Sequence, residues 1–278
     1  MRRILAATTF ILAGLCAVQA TAETCAVRTG TLATNGVSLY WEEHGDATNP
    51  PLLLVHGFGE SMAAWAAYVP ILCARYDVVL IDLRGHGRST NPTDRWSFTA
   101  AADDVTALMA HLHHERFKAL GVSAGAFALL HVATRASNGI ETLVLVGAAP
   151  YFPAQARQRI GDIAADPRAL QQFRSVATRG DAQAESLLRQ FATLASSVDD
   201  PAFTPPQLAT ITAPTLVVCG DRDEFFPVEM SIELYRSIPN AYLRVYPNGG
   251  HVPIYEPAAV ADFGAQLAEF FDGRWSQH

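Results

Sequence analysis

Five short stretches of this chain are almost wholly apolar: residues 52–55, 78–81, 118–122, 142–146 and 215–219. A strand with one face in water alternates polar and apolar residues, whereas a strand covered on both faces need not. Runs of this length and purity predict strands sandwiched between helical layers, as in a parallel sheet. The intervals between the early runs agree. Trp65, Val69 and Leu72 recur at helical spacing within 61–75, as do Val105, Leu108 and Leu112 within 97–112. Strands alternating with helices predict an α/β fold, its mostly parallel sheet carrying helices on both faces through right-handed crossovers. Ahead of this series, Asn35-Gly36 separates 30–34 from 37–43 and predicts an antiparallel hairpin closed by a type I′ turn.

One interval breaks the rhythm. Residues 151–213 hold no strong strand run and are rich in Ala, Gln and Arg, with helical stretches near 154–164, 167–178 and 182–194. Some 60 residues are too many for a plain connection between buried strands. They predict a small helical cap, ended by Asp199-Asp200-Pro201 and Pro205-Pro206. A helix at 228–237, a strand at 242–246 and a helix at 258–271 complete the pattern after the last run.

The N-terminus has a different character. Met1-Arg2-Arg3 precedes an apolar stretch, 4–18, and the small residues Ala20-Thr21-Ala22 follow. This three-part pattern predicts a secretory signal, residues 1–22, cleaved before Glu23. The apolar stretch is shorter than the ~20 residues that span a bilayer. The mature domain, 23–278, is therefore expected in the periplasm or outside the cell, without stable membrane insertion. Losing Arg2 and Arg3 takes the net charge from −7 to −9. With a single lysine, Lys118, and no basic stripe, the chain is not expected to bind nucleic acid. Three cysteines outlast the signal. Cys219 lies in an apolar run and reads as a small buried hydrophobe, while Cys25 and Cys73 could pair in an oxidising compartment.

The chemistry is concentrated in loops that follow strands. Residues 121–125 read G-x-S-x-G, after an apolar run and before a helical stretch at 126–136. In that setting Ser123 sits on a sharp strand-to-helix turn with its hydroxyl presented outward. A serine needs a base to take its proton. Most of the nine histidines fall on helices or in turns with other duties. His111, His113 and His114 end a helix and are expected to face solvent or to partner the helix dipole, and His56 and His86 sit in Gly-rich turns suited to structural hydrogen bonds. His251 follows the last strand in a Gly249-Gly250 turn, where open α/β sheets place their sites. The orienting acid is expected between Ser123 and His251, in the loop after 215–219; spacing alone leaves Asp221, Asp223 and Glu224 open. Backbone N–H groups of Ala124 and Phe58 are expected to form an oxyanion hole. Phe58, Trp65, Tyr151 and Phe152 are candidate walls of an apolar pocket.

These segments together resemble the α/β-hydrolase-fold serine hydrolases. The resemblance rests on His56-Gly57-Phe58-Gly59, on 82–89, on 121–125, on Gly220 to Pro227, and on Gly250-His251-Val252-Pro253, and it covers about 29–271. It implies Asp223 as the acid, because that family's acid lies three residues after the glycine of a G-x-x-D-x-x-x-P segment. It implies a structural role for 82–89 and a helical cap at 151–213. A serine at 123 argues against the family's dehalogenases and epoxide hydrolases, which use an aspartate nucleophile. The implied reaction is cleavage of a carboxylic ester, or a related acyl bond, of a small apolar substrate through an acyl-enzyme, with no cofactor or metal. Cleavage of a C–C bond, lactone or amide, or cofactor-free perhydrolysis, on the same triad is the alternative. A non-catalytic binding protein is the remote one.

Overall fold

The structure is a computed structural model that describes residues 25–135, 139–197 and 201–275. The predicted signal, 1–22, and Asp199-Asp200 lie outside the described residues. Eight strands form one sheet in the order β1-β2-β4-β3-β5-β6-β7-β8. They are β1 (Val27–Thr34), β2 (Val37–His44), β3 (Pro51–Val55), β4 (Asp77–Ile81), β5 (Phe117–Val122), β6 (Ile140–Val146), β7 (Thr215–Gly220) and β8 (Ala241–Tyr246). β1 and β2 pair antiparallel, β2 runs antiparallel to β4, and β3 to β8 are parallel. The hairpin turns at Asn35 (φ 48°) and Gly36 (φ 75°), the positive-φ pair a type I′ turn requires.

The apolar runs are continuous because each strand feeds two cores. In β3, Leu53 and Val55 point into one cluster while Leu52 and Leu54 point into the other; Val79 and Ile81 divide from Val78 and Leu80 in the same way. The first layer is closed by α2 (Phe98–His111), α3 (Ala124–Ala133) and α8 (Val228–Ser237), through residues such as Val105, Phe127 and Leu234. The second is closed by α1 (Val69–Leu72) and α9 (Pro257–Phe271), through Leu72, Phe263 and Phe270. The helix expected across 61–75 is broken into a 3-10 turn, Met62–Trp65, and the four-residue α1. Pro70 explains the break, since a proline fits only the first turn of a helix.

Between β6 and β7 lie α4 (Ala154–Ala165), α5 (Ala169–Val176), α6 (Asp181–Thr193) and α7 (Pro205–Leu208). The prolines expected to end the helical region instead start α7, with Gln207 accepting the Thr204 N–H at 2.9 Å. The ends of this segment are tied together, Tyr151 bridging to Ala202 and Phe203 N–H donating to Pro150 O at 2.8 Å. Cys25 and Cys73 are disulfide-bonded, fastening the start of β1 to the end of α1, and Cys219 is buried and free. Among the described residues no helix is long and apolar enough to cross a membrane.

His114 departs from its expected solvent-facing place. Half-buried, it bonds Glu43 at 2.9 Å, beside Asp77 and Arg28. Arg28 bonds Asp77 at 2.5 Å and Glu43 at 3.2 Å. Glu43, Asp77 and His114 are grouped closely enough to hold a metal ion, but the Arg28 guanidinium already brings a positive charge to both carboxylates. Asp77 opens β4, so this cluster lies at the opposite end of the parallel strands from Ser123 and fastens the hairpin to the sheet.

Candidate active site

The serine lies where β5 passes into α3. Ser123 has φ 49° and ψ −114°, a conformation L-residues seldom adopt, and its side chain makes no helix-capping bond. The turn is held by backbone bonds, with Ser123 N–H donating to Val146 O at 2.8 Å and Phe127 N–H to Ser123 O at 2.9 Å. The motif's glycines allow it sterically. A Cβ at Gly121 would stand 2.7 Å from Ala126 N, and one at Gly125 would stand 2.6 Å from His56 O.

Three side chains from separate strand ends meet here. His251 Nε2 lies 3.0 Å from Ser123 Oγ, and His251 Nδ1 lies 2.8 Å from Asp223 Oδ2. A carboxylate can only accept, so Nδ1 carries the ring proton and Nε2 is left to accept from the serine. Asp223 is buried, and its Oδ1 accepts the Phe225 and Phe226 N–H groups at 2.8 and 3.1 Å. Both carboxylate oxygens are thus committed, which fixes the imidazole's orientation. Asp221 is exposed, and the Glu224 side chain bonds Arg159 on the surface.

The loop after β3 is arranged around one vacant donor. Gly57 N–H donates to Glu60 at 2.8 Å and Gly59 N–H donates to His86 Nε2 at 3.0 Å. Among the described residues no partner takes the Phe58 N–H between them, nor that of Ala124 at the start of α3. Both histidines here are fully buried and work as acceptors. His56 Nε2 accepts Leu83 N–H at 3.0 Å while its Nδ1–H donates to Gly57 O at 2.7 Å. His86 Nδ1–H donates to Arg84 O at 3.0 Å. Burial lowers the His56 pKa to about 4 and the His86 pKa to about 3, so both rings are neutral. Glu60 also accepts from Tyr255 O–H at 3.0 Å, tying the loop to the segment that bears His251; burial holds its carboxyl above the usual range.

Above Ser123 and His251 is a cavity of about 250 Å³. Its inner wall is Phe98, Phe127 and Phe152, its floor beside His251 is Phe225 and Phe226, and its roof is Ile160, Ile163, Phe173 and Phe191 from α4, α5 and α6. Phe58 and Phe152, both expected in the wall, line the cavity, whereas Trp65 and Tyr151, expected beside them, do not. Trp65 is fully buried on the opposite side of the sheet, beside Tyr68 and Tyr255, because the 3-10 turn aims it into the second core. Tyr151 is 46% exposed and points away from the cavity. The remaining phenylalanines of the lining come from separate segments and carry no local pattern in the sequence.

The cap reaches the site by a second route. Gln183 of α6, buried, donates to Gly85 O and Gly87 O at 2.8 Å each, the two carbonyls flanking His86. Arg179 donates to Ser89 O at 3.2 Å. The 82–89 segment is therefore where the cap docks, and its His86 is what holds Gly59.

A strand–turn–helix serine elbow on an open, mostly parallel sheet, with a helical insertion roofing it, defines the α/β-hydrolase class of enzyme. The match to the model of the alpha/beta hydrolase family spans residues 52–263, and the chain belongs to that family. It is 30% identical, over 80% of its length, to a dihydrolipoyllysine-residue acetyltransferase component of an acetoin cleaving system from Pseudomonas putida, and spans 64% of that protein. It is 28% identical to a 2-hydroxy-6-oxononadienedioate/2-hydroxy-6-oxononatrienedioate hydrolase of Pseudomonas putida, covering 80% of this chain and 88% of the relative. It is 26% identical to a pimeloyl acyl-carrier-protein methyl ester esterase of Vibrio atlanticus, covering 84% and 98%.

Proposed function

We propose that this hydrolase cleaves carboxylic esters of small, apolar substrates through an acyl-enzyme on Ser123. The observation that carries the reading is the chain of two hydrogen bonds from Ser123 Oγ through His251 to Asp223, 3.0 and 2.8 Å. As Ser123 attacks the ester carbonyl, His251 Nε2 takes its proton and Asp223 stabilises the imidazolium that forms. The carbonyl oxygen becomes an oxyanion beside the unpaired N–H groups of Phe58 and Ala124, each such donor being worth roughly 10²–10³ in rate. The tetrahedral intermediate collapses, His251 returns the proton to the departing alcohol, and water repeats the sequence to release the acid.

Among the described residues the cavity wall carries no lysine or arginine, which favours an ester over the dienedioates named for the Pseudomonas relative, whose carboxylates would find no counter-ion in it. Export through the N-terminal signal belongs to the same proposal, and the Cys25–Cys73 disulfide fits an oxidising compartment. The mechanism is tested with a fluorophosphonate probe. The wild-type protein is expected to take up one equivalent on Ser123, and Ser123→Ala none; undiminished labelling of that variant would contradict the reading.

A further inference from the structure

The cavity specifies more than apolarity. Its volume is about 250 Å³. A dry cavity of about 150 Å³ admits benzene, and a water's share of liquid volume is about 30 Å³. A benzene-sized ring therefore fits with room for a few further atoms, while a hexadecanoyl chain overruns the space. The inner rings already meet one another edge-on. Phe127 lies 5.4 Å from Phe98 at 66°, 5.2 Å from Phe152 at 62° and 5.4 Å from Phe226 at 72°. Planes tilted in this way offer an inserted ring both faces and edges, each good pair favouring an aromatic occupant by between about twofold and tenfold.

The position of His251 divides the cavity. The leaving group must lie where Nε2 can hand it a proton and from where it can depart. His251, its side chain 17% exposed, and Phe225 are half-buried, whereas Phe98 and Phe127 are 2% and 1% exposed. The alcohol belongs on the open side and the acyl group against the buried rings. Among the described residues no lysine or arginine lines this space, and the polar side chain there besides Ser123 and His251 is that of Gln172, which is exposed. A carboxylate driven into the inner part would lose its water and gain no counter-ion.

We infer that the substrate is an uncharged ester whose acyl part carries one benzene-sized aromatic ring, an aryl- or arylalkanoate. The inference rests on Ser123 being the nucleophile. The test uses the isomers methyl phenylacetate and benzyl acetate, which place the same ring on opposite sides of the ester, with hydrolysis followed in a pH-stat. Methyl phenylacetate is expected to show a kcat/KM at least tenfold above benzyl acetate. Methyl butyrate is expected to exceed monomethyl succinate at least 100-fold, and methyl palmitate to be poor. Ile163→Lys, which brings a cation to the roof, is expected to narrow the butyrate-to-succinate ratio at least tenfold. Equal or better turnover of benzyl acetate, or succinate matching butyrate in the wild-type protein, would overturn the inference. If the fluorophosphonate still labels Ser123 in that event, the acyl assignment alone has failed. If the wild-type protein is not labelled, the ester-hydrolase reading fails and takes this inference with it.

Discussion

The sheet and the cap border one cavity, but they hold their residues by different means. Ser123, Asp223 and His251 stand on loops at the ends of strands whose side chains fill two cores, and each is fixed by short backbone or carboxylate hydrogen bonds. The cap is itself divided. Its α6 is pinned to the 82–89 segment by the buried Gln183 amide, while α4 and α5 present chiefly apolar side chains to the cavity. Hydrogen bonds set a geometry closely because they fail within a few tenths of an ångström, whereas apolar contact tolerates exchange of similar volumes. The sheet should therefore determine whether the reaction proceeds, α6 how well the loop bearing Phe58 is set, and α4 and α5 which substrate is taken.

That division can be broken at graded cost. Asp223→Asn removes the fixed acceptor of the His251 N–H and is expected to lower kcat about 10⁴-fold on every ester. Initial rates across several acyl groups check it, and a loss confined to one substrate would contradict the assignment to the sheet. Gln183→Leu keeps the side-chain volume but frees Gly85 O and Gly87 O around His86. It is expected to lower kcat roughly tenfold, less than deleting an oxyanion donor outright, with KM little changed. A rise in KM alone would place Gln183 with the substrate-shaping half of the cap.

Acid acts on stability instead of rate. Folded His56 and His86 hold their pKa values near 4 and 3, against 6.5 for a free imidazole side chain. As pH falls below 6.5 the unfolded chain binds protons that the folded rings refuse. Stability contributed by these neutral rings is complete above 6.5 and is lost as pH falls toward 4. Urea midpoints are expected to drop between pH 7 and pH 4, and a His86→Gln variant, whose amide can still accept from Gly59 N–H, to drop less steeply. Identical slopes would remove His86 from the account.

What could be read from the sequence follows the locality of each signal. The strands were legible because burial on both faces leaves an unbroken apolar run, Ser123 because it sits in a glycine-flanked turn after such a run, and His251 because a glycine pair carries it past the last, only partly buried strand. Asp223 was not separable from Asp221 and Glu224 by spacing; the resemblance pointed to it, and the fold buries it against His251 while Asp221 and the Glu224 side chain face the surface. Trp65 was misplaced because one face of a helical pattern does not say which side of the sheet it meets. Gln183 was invisible, since one glutamine in an Ala- and Gln-rich helix carries no local mark of the carbonyls it will find. The phenylalanine wall is assembled from segments far apart in the chain, so only the fold brings it together.

The central claim is a covalent acyl group on Ser123 during turnover. Rapid acid quench of the wild-type protein with p-nitrophenyl acetate, followed by digestion and mass spectrometry, tests it directly. An acetyl group is expected on the tryptic peptide 119–135, which contains Ser123, formed within the first turnover and decaying as substrate is exhausted. Steady release of p-nitrophenol with that peptide unmodified, or with the acetyl group on another residue, would contradict it.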